Sequence, residues 1–231
     1  MRSSFFLLTN RVVTAALLAV AQAHAAPPAR VELHSDILRN GTAVAEMVDR
    51  FEHADGKYSL TQVWRGKGIF ALRGSVKRRS HGLASAAGLR PLEFSDERTG
   101  RPTARATFDW QANTLTQQYR GGPRIEPMPE RAHDRLAFLF DFVFGAPPEK
   151  QVAFHLADGR GMSHQVYQVN GRERLKTPAG DFEAVKMVRE KDGDRTEVWL
   201  AADRSYLPVR VLITDADGTR VEQVVTRIST P

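Results

Sequence analysis

The chain contains no cysteine. That excludes disulfides, a thiol nucleophile, thiolate metal sites and a lipid-modified N-terminal cysteine, so the fold must rest on apolar burial alone. Acidic residues are missing from one long stretch: Lys57 to Leu92 holds eight Lys or Arg and no Asp or Glu. No apolar run reaches the roughly 20 residues that a membrane-spanning helix needs. Closely spaced histidines are missing as well. Beyond the N-terminal region they stand at 34, 53, 81, 133, 155 and 164, and no two are four apart. With no His-Glu-x-x-His motif either, a helical zinc site is excluded.

The other signatures of catalysis fail on inspection. Ser163-His164 follow Gly161, but Gln165 stands where a nucleophile elbow needs glycine. GKGIFA (66–71) imitates a dinucleotide-binding loop but runs into the alternating LRGSVKRR, which does not open a helix. DADG (215–218) starts like a calcium loop without its later ligands, and a hairpin turn explains it. Carboxylates are scattered over turns. The sequence therefore predicts no catalytic residue, no metal and no cofactor.

What is present begins with a leader. Arg2 and Arg11 precede an apolar stretch from Val12 to Val20, and Ala23-His24-Ala25 supplies the small residues of a cleavage site. This is the layout of a secretory signal peptide, with residues 1–25 removed and 26–231 forming a single antiparallel β domain. Export to the periplasm is the expected address. The charge is uneven: Lys57 to Arg124 carries 13 basic and four acidic residues, and the remainder is mildly acidic. Such a field is either a solvated strand face or a surface for an anionic partner. In an exported protein that partner is a lipid head group or polysaccharide, not nucleic acid.

Asn-Gly or Asp-Gly pairs stand at 40–41, 55–56, 158–159, 170–171, 192–193 and 217–218. They favour hairpin turns with positive φ at both central residues. Around them YSLTQVW (58–64), ATFDW (106–110), EAVKMVRE (183–190), TEVWLA (196–201) and LPVRVLIT (207–214) alternate apolar with polar. These patterns predict a mainly β fold, a strongly curved antiparallel meander or open barrel of about ten to twelve strands. One segment differs. RLAFLFDFVFG (135–145) holds phenylalanine at 138, 140, 142 and 144, lies between Pro129-Glu130 and Gly145-x-Pro147, and has only Val143 β-branched. It predicts a helix, with Leu136, Leu139, Phe140 and Val143 on one face and Phe138 and Phe142 on another. A helix apolar nearly all round must be buried on more than one side, in or over the concave face of the sheet. It either lids a cavity or fills an ordinary core. Asp141, set among phenylalanines, is expected to reach solvent or pair with Arg135 or a strand arginine.

The run YQVNGRERLKTPAGDFEAVKMVRE (167–190), followed by TEVWLAADRSYLPVRVLITDADG (196–218), resembles the C-terminal part of the domain of unknown function 3108 family. The matching positions are Thr177, Pro178, Gly180 and Phe182, then Trp199-Leu200-Ala201, then Tyr206 to Arg210. AAGLRPLEFSDER (86–98) and DRLAFLFDFVF (134–144) fit the same pattern. The resemblance implies an exported, mostly β protein of Gram-negative bacteria, and brings no catalytic residue and no known activity. By analogy of fold alone, the sheet is similar to periplasmic lipoprotein carriers. Within the motif, Thr177, Pro178, Gly180 and Phe182 read as a turn and strand entry, and Trp199 and Tyr206 as large residues closing the core. Pro208, ahead of Arg210, marks an edge or a bulge.

Three functions follow in order of preference. The first is a non-catalytic periplasmic binder or carrier of an apolar or amphiphilic, lipid-like ligand. Trp64, Phe70, Trp110, Phe138, Phe140 and Phe142 are its candidate contacts, and Arg65, Lys67, Arg73, Lys77, Arg78 and Arg79 offer a positive face to anionic head groups or an anionic membrane. The second is an envelope interaction protein that docks a partner through a sheet edge near Pro208. The third is an enzyme.

Overall fold

A computed structural model of the chain describes residues 27–147 and 149–230. The predicted leader, residues 1–25, lies outside the described residues, as does the side chain of Arg73. The elements run β1 (Arg30–Arg39), β2 (Thr42–Ala54), β3 (Lys57–Gly66), β4 (Ser75–Ser85), β5 (Gly88–Arg98), β6 (Ala104–Asp109), β7 (Thr114–Gln118), β8 (Arg124–Pro127), β9 (Ala132–Asp134) and the single-turn helix α1 (Phe138–Asp141). They continue with β10 (Gln151–Ala157), β11 (Met162–Thr177), β12 (Gly180–Lys191), β13 (Asp194–Ala201), β14 (Leu207–Thr214) and β15 (Arg220–Ser229).

All fifteen strands join one sheet, in the order β8-β7-β6-β5-β4-β3-β2-β1-β15-β14-β13-β12-β11-β10-β9. The hairpins follow from turn chemistry. Asn40-Gly41, Asp55-Gly56 and Asp192-Gly193 have positive φ at both residues and close β1–β2, β2–β3 and β12–β13. Asn170-Gly171 departs from expectation. It lies inside β11, where the register against β12 shifts between Val169 and Arg172, so the positive φ of Gly171 serves a bulge instead of a turn. The strand count exceeds the ten to twelve expected because β7, β8 and β9 are too short for alternation to reveal them.

The sheet is also not purely antiparallel. β9 pairs with β10 in parallel, His155 opposite Ala132 and Ala157 opposite Asp134. Parallel neighbours need a crossover, and residues 135–150 supply it. That constraint explains the helix and corrects its predicted extent. Ala132–Asp134 is drawn into the sheet, and Asp134 Oδ1 then accepts the Leu136 and Ala137 N–H groups at 2.8 Å each, opening the helical turn. Past Asp141 the backbone tightens, with Phe144 N–H bonding Asp141 O and Gly145 N–H bonding Phe142 O.

Chain connectivity forces the sheet to curl. β8 and β9 are its two edges, yet only residues 128–131 join them, a span of at most about 18 Å. Side chains close the gap. Ser80 of β4 donates to Asp134 of β9 at 2.5 Å, and Arg160, after β10, reaches Asp96 of β5 at 3.0 Å. α1 lies within the curl, touching both β5 and β14. Its phenylalanines divide between two apolar clusters. Phe140 and Val143 pack with Phe51, Phe94 and Leu60, while Phe138 and Phe142 pack with Phe154, Met187 and Leu200; Leu139 touches both. β13 is buried on both faces, with Val198 and Leu200 on one and Trp199 and Ala201 on the other.

Candidate functional site

A polar row crosses the inner face of the sheet. Asp49 on β2 is paired in register with Gln62 on β3, Gln62 with Arg78 on β4, and Arg78 with Asp96 on β5. The side chains follow the same path: Gln62 Nε2 donates to Asp49 Oδ1 at 2.8 Å, and Arg78 Nη1 donates to Gln62 Oε1 at 2.5 Å. Arg78 Nε stands 3.6 Å from Asp96 Oδ1, an ion-pair distance beyond hydrogen bonding. All four residues are buried. Burial raises the Asp49 carboxyl to about 7 and, with the charge of Arg135 nearby, lowers Arg78 to about 10. For Asp96 burial pulls upward, but hydrogen bonds from Arg98, the charge of Arg78 and the hydrogen bond from Arg160 outweigh it and hold the carboxyl below its ordinary value.

The row ends in a cavity of about 620 Å³ beneath α1, inside the roughly 300–1,000 Å³ range of small-molecule sites. One wall is apolar: Leu136, Phe138, Leu139 and Phe140 from the crossover, facing Val198, Val211 and Ile213. Polar and charged groups stand among the rest, Asp49, Gln62, Trp64, Arg78, Arg135, Asp158, Arg160, Tyr167 and Arg189, interspersed with Ile37, Leu156, Met162 and Val221. Arg160 is held by Asp96 and Asp158, and Arg135 stands 3.6 Å from Asp158.

The structure sorts the residues singled out in the sequence. Trp64, Phe138 and Phe140 line the cavity. Phe70 sits half-buried in a 3-10 turn at Gly68–Arg73, off the cavity wall. Trp110 stacks on Phe108, with its Nε1 donating to Pro91 O at 2.7 Å, and Phe142 packs edge-on to Phe154; neither reaches the cavity. The single basic face is corrected by strand parity. Lys77 and Arg79 point outward, opposite Val63 and Thr61, and Arg78 between them points in. Arg65 and Arg79 are exposed, Arg79 pairing with Glu97, while Lys67 donates to Asp36 at 2.5 Å.

The motif residues occupy turns and packing positions. Thr177 Oγ1 accepts the Ala179 N–H and donates to Gly180 O across the turn that contains Pro178, and Gly180 has φ +132°. Phe182 is buried. Trp199 lies between its cross-strand neighbours Lys186 and Arg210, donating to Glu173 at 2.5 Å. Tyr206 is buried with φ +55°, and Arg210 donates to Glu222. Pro208 sits beside a register shift between Trp199 and Leu200, which is a bulge; β14 itself is an interior strand, so the edge half of that expectation fails. Asp141 does not pair with Arg135. Its Oδ1 accepts the Leu89 N–H at 2.7 Å, while Arg135 turns to Asp158.

Sequence reading missed Asp49, Gln62, Arg135, Tyr167 and Arg189 on the cavity wall. One signal was available: in YSLTQVW, Gln62 shares a strand face with Tyr58, Leu60 and Trp64, so a polar side chain stood at an apolar parity position.

The family model described as "Protein of unknown function (DUF3108)" matches residues 30–225. A comparison with curated proteins finds no match. Among solved structures, the chain is similar to a candidate lipoprotein from Parabacteroides distasonis, at 10% identity and a TM-score of 0.34, covering 88% of this chain and 97% of that one. It is also similar to a candidate exported protein with a YmcC-like fold from Bacteroides fragilis, again at 10% identity and a TM-score of 0.34, covering 86% of this chain and 95% of that one.

Proposed function

The chain belongs to the DUF3108 family, whose function is unknown, and from that premise we propose that it is an exported, non-catalytic binder of an amphiphilic ligand held in the cavity under α1. The observation that carries this reading is the cavity itself: about 620 Å³, with apolar side chains from the crossover and the sheet facing charged groups such as Arg78, Arg135, Arg160 and Arg189. The space opens to solvent, and its volume falls within the range of small-molecule sites. Export rests on the leader, with cleavage after Ala25. N-terminal sequencing of protein taken from the cell envelope tests that step, and a chain still beginning at Met1 would defeat it.

The binding reading is tested by mass spectrometry of organic extracts from the purified mature protein, together with uptake of a fluorescent fatty acid. Saturable, one-to-one uptake and a co-purifying amphiphile are expected. No uptake and no extractable ligand would overturn the reading.

A second observation favours delivery from a membrane surface. The 3-10 turn that leaves β3 just after Trp64 exposes Ile69 and Leu72 by 81% and 94%, among the basic residues Arg65, Lys67 and Lys77. Two bare apolar side chains within a positive surround suit an anionic bilayer. Co-sedimentation with anionic vesicles should exceed that with neutral ones, weaken with salt, and drop severalfold in an Ile69→Ser/Leu72→Ser variant. Equal sedimentation with both vesicle types would remove the membrane from the picture.

A further inference from the structure

Three buried donors on the cavity wall make no hydrogen bond, although one of them, Arg78 Nε, faces Asp96 Oδ1 at an ion-pair distance of 3.6 Å. Trp64 Nε1, Arg78 Nε and Arg189 Nε lack a hydrogen-bond partner, and all three residues line the cavity. The other unpartnered buried side-chain atoms among the described residues belong to Ser35, Gln117 and His133, none of which reaches it. Buried polar atoms are almost always paired, because the hydrogen bond to water lost on folding is costly unless replaced. Three orphans of one polarity around one space call for a ligand that brings acceptors.

The charges agree. Four arginines line the cavity against two carboxylates. Asp158 is engaged by Arg135 and Arg160, and Asp96 stands behind the wall with Arg98 and Arg160. Arg189 makes no ion pair among the described residues; its Nη2 donates to the hydroxyl of Thr196 at 3.2 Å and the guanidinium also bonds the Tyr167 hydroxyl, while its Nε is left over. Arg78 is 8% exposed, and its guanidinium lies 5.2 Å from the Trp64 ring centroid, so the indole and the guanidinium hold each other in place. The apolar wall of Phe138, Leu139, Val198 and Val211 completes the space.

We propose that Arg78, Arg189 and Trp64 form an oxyanion site inside the cavity, which binds the carboxylate or phosphate of a ligand whose apolar part lies along α1. The inference rests on the ligand-binding reading above and adds the chemistry of the head group. Guanidinium forks suit both anions, through charge-assisted hydrogen bonds.

The experiment loads the mature protein with the neutral fluorophore N-phenyl-1-naphthylamine and displaces it with palmitate, hexadecyl phosphate or hexadecanol. Inorganic phosphate is titrated separately by calorimetry. Palmitate and hexadecyl phosphate should displace the probe at least tenfold more strongly than hexadecanol. Arg189→Gln and Trp64→Phe should shrink that preference to under threefold with Tm unchanged, and Arg101→Gln, on the exposed surface, should leave it intact. Arg78→Lys keeps a charge for Asp96 and serves in place of a truncation that could unfold the chain. Probe binding with equal displacement by palmitate and hexadecanol would overturn the oxyanion site and leave the cavity reading standing. Phosphate binding with no probe uptake would keep the site and overturn the amphiphile. Neither binding would overturn both.

Discussion

At the scale of single residues, the crossover is fastened by two carboxylates in unfavourable surroundings. Burial raises Asp134 and Asp141 to about 6, and it lowers His133, 3.9 Å from Asp141, to about 4. His133 is therefore neutral near pH 7 and gives Asp141 no compensating charge. A carboxyl raised in the folded state contributes stability that is full below its unfolded value near 3.8 and is lost as pH rises through about 6. Asp141→Asn keeps an acceptor for the Leu89 N–H and removes the charge. Its stability relative to wild type should rise between pH 5 and pH 8, by on the order of 2 kcal/mol, as read by urea denaturation at each pH. A constant difference across that range would mean that Asp141 is not strained by burial. Gly159 tests a close approach instead. Its φ is +80°, and a Cβ there would lie 2.5 Å from the Arg105 backbone nitrogen. Gly159→Ala should cost more than about 1 kcal/mol, whereas the same change at Gly122, where a Cβ would meet nothing within 4 Å, should be near neutral.

At the scale of elements, α1 matters less as a helix than as a wedge between two clusters. Phe140 is 2% exposed and stacks on Phe51 at 5.3 Å, and Phe142 sits edge-on to Phe154 at 5.8 Å. Truncating either to alanine should cost about 3–5 kcal/mol. Phe138 and Phe140 both line the cavity, but Phe138 is the more exposed, 7% against 2%, so Phe138→Ala should cost less in thermal denaturation while changing probe uptake. Equal losses at all three, with uptake unchanged, would mean that the space beneath the helix is not used. The division of phenylalanines between two faces was legible in RLAFLFDFVFG, because spacing alone sets which side chains share a side. The helix length was not. It depends on three residues, Ala132–Asp134, pairing with His155–Ala157 about twenty positions later, a nonlocal choice that local propensity does not encode. The turns divide likewise: Asn40-Gly41 and Asn170-Gly171 are the same dipeptide, yet only the first has positive φ at both residues, and the register of the neighbouring strand decides between hairpin and bulge.

At the scale of the whole molecule, the mainly β character and the hairpin order were readable from turns and alternation, whereas the cavity was not. Its wall is assembled from inward positions on many strands, from Ile37 to Gln223, and no spacing in the sequence unites them. The curl that gathers them is held partly by Arg160 on Asp96, so Arg160→Gln should loosen the β10–β11 end and raise amide exchange in β5 and β10 before it lowers global stability. One feature of the sheet order reaches further. β1 pairs with β15, Glu32 opposite Ser229, so the first and last strands meet in the middle of the sheet. Each half, β1–β8 and β9–β15, is a chain of mostly local hairpins, and the seam between them can zip only when residues about 190 apart meet, after the largest loop-closure cost in the molecule. A circular permutant that links residue 229 to residue 30 through a short loop and opens at Gly121-Gly122 turns that seam into an ordinary hairpin and leaves only the four-residue β8 to find a distant partner. It should keep the far-ultraviolet dichroism of the parent and refold severalfold faster in stopped-flow experiments, because the costliest closure of the chain becomes a neighbouring contact.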